Sequence, residues 1–305
     1  MHKSVLLDEC IENLNLKEDS VIIDCTLGYG GHSSFILKEI KKGFLFAFDQ
    51  DDEAINSSRK RLDEIGNNYE IIRSNFVHLK EKMDERNISE VDGILYDLGV
   101  SSPQLDESER GFSFHQDAKL DMRMDRTKEL SAYEVVNNYS YEELVRIFRV
   151  YGEEKYASGI ARKIEETRSI KPIETTLELV EVVKSGVPEK YKREKHPARK
   201  VFQAIRIEVN NELNVFESSV KQALDLIKVG GRVCVITFHS LEDRICKDIF
   251  KSVSSVSKEL KNLPIIPLEY QPKYKVIANI EPTNKELEEN NRARSARLRV
   301  IERVR

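Results

Sequence analysis

Within its first hundred residues the chain repeats one pattern: a short apolar run, a turn, and then a stretch with helical spacing. The runs are Val21-Ile22-Ile23-Asp24, Phe44-Leu45-Phe46-Ala47-Phe48-Asp49, Tyr69-Glu70-Ile71-Ile72 and Gly93-Ile94-Leu95-Tyr96-Asp97. Strands this apolar, separated by helical crossovers, belong to a parallel sheet covered on both faces, and so to the α/β class. A fifth run, Arg232 to Phe238, follows Gly230-Gly231, and Val276-Ile277-Ala278 and Ala296 to Val304 read as two closing strands.

The interval between the fourth and fifth strands breaks the pattern. A crossover needs a dozen or more residues, yet Asp97 and Arg232 are 135 positions apart. Inside the gap the spacing is helical: Leu144, Ile147, Phe148 and Tyr151 fall at i, i+3, i+4 and i+7, as do Ala157, Ile160, Ala161 and Ile164. This predicts an inserted helical domain over 106–205, with 1–105 and 206–305 forming one discontinuous sheet domain. A length of 305 residues accommodates two such domains.

Composition narrows the classes. The apolar runs are strand-length, so no membrane span is expected. The start of the chain is too short and too acidic for a secretory signal. Cys10, Cys25, Cys234 and Cys246 form no C-x-x-C pair, which suits reduced thiols in the cytoplasm. No His, Cys and carboxylate set has metal-ligand spacing, and no metal is expected. The net charge of −4 gives no global case for nucleic acid, so that case must rest on local patches. One runs from Lys190 to Arg206 and another from Arg292 to Arg305; such runs are commonly solvated faces.

Gly28-Tyr29-Gly30-Gly31 follows the first strand and opens a helix, and Asp49 lies 21 residues after Gly28 at the end of the second strand. Glycines there let a ligand approach the backbone, and an acid at that spacing can accept ribose hydroxyls. Ser33 replaces the third glycine of a dinucleotide fingerprint, and no Gly-Lys-Ser/Thr follows. A nucleoside loop without a clear phosphate site suits S-adenosylmethionine better than NAD.

Longer blocks carry a resemblance. These are Asp24 to Ser33, Asp97 to Asp106, Glu109 to Phe114, Leu120 to Asp125, His196 to Arg199, Phe202 to Arg206, Phe238 to Arg244 and Arg292 to Ala296. In this order they resemble the 16S ribosomal RNA cytosine-N4 methyltransferases, the MraW or RsmH family, over essentially the whole chain. The resemblance implies a class I S-adenosylmethionine-dependent methyltransferase: Rossmann-like, with a mostly parallel seven-stranded sheet, an antiparallel edge and an inserted helical domain. It implies S-adenosylmethionine as donor and a decoding-centre cytosine as acceptor, on the assembled small ribosomal subunit. Carried over by motif, the cofactor contacts are Gly30, Gly31, His32, Asp49, Phe76, Asp97 and Gln104. Monomer and homodimer both remain open. Asn291 and Glu208 depart from the family's common residues.

Individual roles are open at this level. Asp97 is a cofactor contact or the catalytic acceptor; Ser101, Ser102 and His239 are the other catalytic candidates. The turn after the fourth strand lacks an aromatic clamp, so Phe112 or Phe114 is expected to stack the base. Arg110, His196, Arg199, Gln203 and Arg206 are expected on the RNA side, and Arg123 either pairs with Asp121 or grips an RNA phosphate.

Overall fold

The computed structural model describes residues 4–100, 108–194, 196–256, 260 and 266–305. By contacts the chain divides into two units: residues up to Gly99 with Leu213–Arg305, and Val100–Glu212.

The first unit holds one seven-stranded sheet. Its strands are β1 (Val21–Asp24), β2 (Phe44–Asp49), β3 (Tyr69–Arg73), β4 (Val91–Asp97), β5 (Ile227–Thr237), β6 (Tyr274–Ile280) and β7 (Arg297–Arg303). Their order is β3-β2-β1-β4-β5-β7-β6. The first five pair in parallel, whereas β7 runs antiparallel to both β5 and β6. The reversed strand therefore sits one place in from the edge, not at the edge itself. The reversal at β1, where β2 lies on one side and β4 on the other, is the switch point at which open α/β sheets bind ligands.

The apolar runs are explained by burial on both faces. Ile23, Phe46, Phe48, Ile94 and Tyr96 pack into one layer, while Ile22, Leu45, Ala47, Leu95 and Ile236 pack into the other. All four cysteines are buried free thiols within these layers. The pairing of β5 with β4 is irregular until Arg232, past Gly230 in a left-handed conformation (φ 83°), and regular after it.

The second unit is helical around its own core. Leu144, Ile147, Phe148, Ile160, Ala161 and Ile164 are all fully buried, as their spacing requires. Three of its helices, Ala132–Asn138, Tyr141–Val150 and Thr176–Ser185, start in capping boxes: Ser131 with Glu134, Ser140 with Glu143, and Thr175 with Glu178. Each such cap contributes about 1 kcal/mol by satisfying orphan N–H groups. The unit ends after the helix Ala198–Asn210, which a boundary between 205 and 206 would cut.

Candidate active site

The glycine turn is built by strand ends on either side of it. Gly28 and Gly30 have φ of 50° and 73°, in the region that L side chains avoid. Gly30 caps the helix Gly31–Glu39, and a Cβ on Gly31 would meet Ser4 Oγ at 2.0 Å. The backbone N–H of Gly28 donates to Asp49 Oδ2 at 2.8 Å, while Oδ1 accepts from Gln50 and Asp51 at 2.8 and 2.9 Å. Oδ1 is filled by its two donors, whereas Oδ2 has one and can accept further, so a ribose hydroxyl is a chemically matched guest. Burial pushes the Asp49 carboxyl up to about 6, against the pull of these N–H donors.

A second acid ties β1 to the helix. Asp24 is buried; its Oδ2 accepts from Ser33 Oγ at 2.6 Å and its Oδ1 from the Thr26 N–H at 3.0 Å. Burial is the larger influence and raises its pKa. Ser33, where a dinucleotide site would carry glycine, thus has a structural task. Thr26 Oγ1 accepts the Asp97 N–H at 2.7 Å and joins β1 to the end of β4. Sequence reasoning missed both roles. The Asp-x-Thr spacing, a local side-chain turn, was the available signal for Thr26.

His32 is buried between two acceptors. Its Nε2 lies 3.1 Å from the Val5 carbonyl, which can only accept, so Nε2 carries a proton. Its Nδ1 lies 3.4 Å from Asp97 Oδ2. Asp97 is pushed up to about 6, first by burial and also by Asp24 and Glu242, while His32 pulls it down. Although 27% of its side-chain surface is open, its Oδ1 is buried with no hydrogen-bond partner among the described residues. A buried acceptor without a donor costs stability unless a ligand supplies one.

Phe76 follows β3 and is half-buried, edge-on to Tyr96 at 5.6 Å. Ser219 fixes it from behind: Tyr96 donates to Ser219 Oγ at 2.7 Å, and Ser219 donates to the Phe76 carbonyl at 2.8 Å. Gly28–Gly31, His32, Asp49, Phe76 and Asp97 therefore all belong to the first unit and to its strand ends. Gln104, Ser101 and Ser102 lie outside the described residues.

His239 is engaged as the cap of the helix Ser240–Ser254. Its Nδ1 faces the Glu242 N–H at 3.5 Å, its Nε2 lies 3.0 Å from Glu242 Oε1, and Glu242 Oε2 accepts the Phe238 N–H at 2.8 Å. The His239 Nε2 is buried and has no hydrogen-bond partner among the described residues.

The expected RNA side is reduced by the second unit's own packing. Phe112 is 6% exposed and sits in the core beneath the Arg110 guanidinium, so it cannot stack a base. Arg110 is itself buried and donates to the Arg123 carbonyl at 3.1 Å. Arg123 makes a bidentate pair with Asp121 and also donates to the carbonyls of Arg126 and Lys128. Arg206 pairs with Glu212 through two bonds, and Gln203 donates to the Tyr151 carbonyl. Glu208 accepts from Tyr139 and Arg146. Phe114 is half-buried, while His196 and Arg199 are exposed. In the first unit, Arg297, Arg299, Arg303 and Arg305 of the C-terminal run bind acids or carbonyls.

Comparison with known proteins adds the following. The model of the MraW methylase family matches residues 1–304. A ribosomal RNA small subunit methyltransferase H of Exiguobacterium sibiricum is 55% identical over 306 residues, covering 99% of this chain and 98% of that protein. Among solved structures, an rRNA methylase of Streptococcus thermophilus aligns over 100% of this chain and 99% of its own, with 13% identity and a TM-score of 0.45. A SAM-dependent O-methyltransferase of Thermotoga maritima aligns over 100% and 68%, with 9% identity and a TM-score of 0.42.

Proposed function

Because the chain belongs to the MraW methylase family, we propose that it transfers a methyl group from S-adenosylmethionine to N4 of a decoding-centre cytosine in 16S rRNA. The acceptor is the assembled small ribosomal subunit in the cytoplasm. No helix among the described residues is long and apolar enough to cross a membrane.

The observation that carries the reading is the joint placement of Asp49 and the glycine turn, with one carboxylate holding the turn and keeping acceptor capacity. S-adenosylmethionine supplies an electrophilic methyl on a sulfonium. Asp49 accepts a ribose hydroxyl, and the turn admits the nucleoside at Gly28, where an added Cβ would meet only the Thr26 carbonyl at 3.9 Å, beside Gly30 and Gly31. Phe76 offers an apolar face to the adenine, anchored by Tyr96 and Ser219. At the end of β4 the buried Oδ1 of Asp97 takes an N–H, from the cofactor's ammonium or from the target amine. Nδ1 of His32 stands beside the other oxygen at 3.4 Å.

The cytosine amine is a poor nucleophile because its lone pair is delocalised into the ring. Positioning and an acceptor for its N–H are what the site must supply. The test is methyl transfer from labelled S-adenosylmethionine to unmodified small subunits, with naked 16S rRNA alongside and nucleoside analysis of the product. N4-methylcytidine on subunits is expected. Label on neither acceptor, with cofactor binding intact, overturns the reading. Sedimentation of the enzyme with the subunits gives its stoichiometry, one copy or a homodimer.

A further inference from the structure

The second unit contains a short column of rings that begins in its core and ends in solvent. Phe202, 3% exposed, meets Phe114 edge-on at 5.7 Å and 78°. Phe114 in turn lies nearly parallel to the imidazole of His196, with centroids 4.6 Å apart and planes 29° apart. His115 flanks both, 4.4 Å from Phe114 and 5.6 Å from His196. The inner ring is core, the middle one half-buried, and the two imidazoles are exposed.

Basic residues outnumber acids in the stretch that carries His196. Arg199 stands three residues after His196 in the first turn of the helix Ala198–Asn210, and Lys190 and Arg193 precede it. All three are exposed; Arg193 interacts electrostatically with Glu189, while Arg199 and Lys190 have no salt bridge or side-chain hydrogen bond among the described residues. The contrast with Arg110, Arg123 and Arg206 is direct, since those three are spent on internal contacts. An aromatic plane held from beneath, with Arg199 joined to it by the bond from its backbone N–H to the His196 carbonyl at 3.3 Å, matches a ligand with a flat ring and a phosphate. Stacking needs only a π-face, so any unpaired base suffices.

We propose that His196, backed by Phe114, is a stacking platform for one unpaired base of the RNA, with Arg199 on a neighbouring phosphate. The inference rests on the methyltransferase reading above, since RNA is the partner that reading supplies. The imidazole stacks by its face, and Phe114 sets its plane. His115 bounds the platform at one side. Phe112, two residues before Phe114, is the core anchor of the same segment and not part of the binding surface.

The experiment uses the full chain and a fluorescein-labelled single-stranded segment of 16S rRNA containing the target cytosine, with cofactor affinity measured in parallel. His196→Ala weakens RNA binding on the order of tenfold, the loss of one base stack. His196→Phe keeps it, because the plane remains. Arg199→Gln lowers the slope of log affinity against log salt by about one. Cofactor affinity stays at the wild-type level in all three. The exposed His196 is the decisive position, because Phe114→Ala also disturbs Phe202. Wild-type binding by His196→Ala, or equal loss in His196→Ala and His196→Phe, overturns the platform while leaving the methyltransferase reading intact. A wild-type protein that binds the cofactor but neither binds nor methylates RNA overturns both.

Discussion

The backbone N–H of Gly28 donates to the carboxylate of Asp49 at 2.8 Å, so the turn after β1 and the acid after β2 form one hydrogen-bonded unit. Three N–H groups converge on the two Asp49 oxygens, and an amide side chain offers a single acceptor oxygen. Asp49→Asn therefore leaves at least one of them unpaired and presents an NH₂ to the ribose. The expected outcome is a loss of cofactor affinity on the order of 100-fold, read by calorimetry, from hydrogen bonds to a charged group. An Asp49→Asn protein that binds S-adenosylmethionine like wild type excludes the ribose role.

The buried carboxyls make cofactor binding pH-dependent. Asp49 and Asp97 are both raised from an ordinary 3.8 to about 6. The folded protein thus holds these protons more tightly than the unfolded chain. Their contribution to stability is full below about pH 4 and is lost as pH rises through about 6. Cofactor binding has the opposite sign, because hydroxyl donors and a cationic ligand favour the ionised acids. Affinity should fall as pH drops through about 6, with proton release on binding near that pH. Calorimetry in two buffers of different ionisation enthalpy measures this release; zero release near that pH refutes the shift.

Gly31 is confined by a single side-chain atom. Its Cβ would lie 2.0 Å from Ser4 Oγ, but 3.4 Å from Ser4 Cβ. Gly31→Ala should lower the melting temperature, and adding Ser4→Ala should recover most of the loss. At Gly30 no such rescue exists, since its φ of 73° costs a side chain about 1–2 kcal/mol wherever its neighbours stand. Thermal unfolding of the three variants separates contact from backbone strain.

Replacing Ser33 by glycine would complete the three-glycine spacing of a dinucleotide loop. It would also remove the hydroxyl that donates to the buried Asp24 at 2.6 Å. Ser33→Gly should cost about 1–3 kcal/mol of stability. It should confer no binding of a nicotinamide cofactor, which a fluorescence titration with NADH checks. Gain of NADH binding would show that glycine spacing alone selects the cofactor.

Arg206 and Arg199 are seven positions apart on one helix and should behave differently. Arg206 is largely buried against Glu212, so Arg206→Gln should lower stability by about 1–3 kcal/mol with no change in the salt dependence of RNA binding. Arg199→Gln should do the reverse. Equal salt slopes for Arg206→Gln, Arg199→Gln and wild type would show that neither side chain reaches phosphate.

Much of the fold was legible because burial on both faces leaves a mark in sequence. The apolar runs at 21–24, 44–49 and 93–97 became β1, β2 and the greater part of β4, ending where the acids stand. The exchange of β6 and β7 at the sheet edge left no such mark, since both are ordinary strand patterns and only pairing orders them. The glycine turn and Asp49 were legible as a pair through their spacing. The capping role of His239 was not, although Glu242 three residues on is the usual signature of a capped helix start.

What the sequence by itself determined were features of local origin: periodicity, the acid at each strand end, the residues at the glycine turn and the family motifs. These depend on residues a few positions apart, or on burial that acts uniformly along a segment. Only the tertiary structure decided which polar side chains were already taken. Asn210 bonds Met122 and Met124 across 88 and 86 positions, Asp24 holds Ser33, and Arg206 and Arg123 turn inward while Arg199 does not. An arginine reads alike in sequence whether it faces an acid or water. The partner is set by where the folded backbone brings another chain segment, and that depends on the packing of the whole unit.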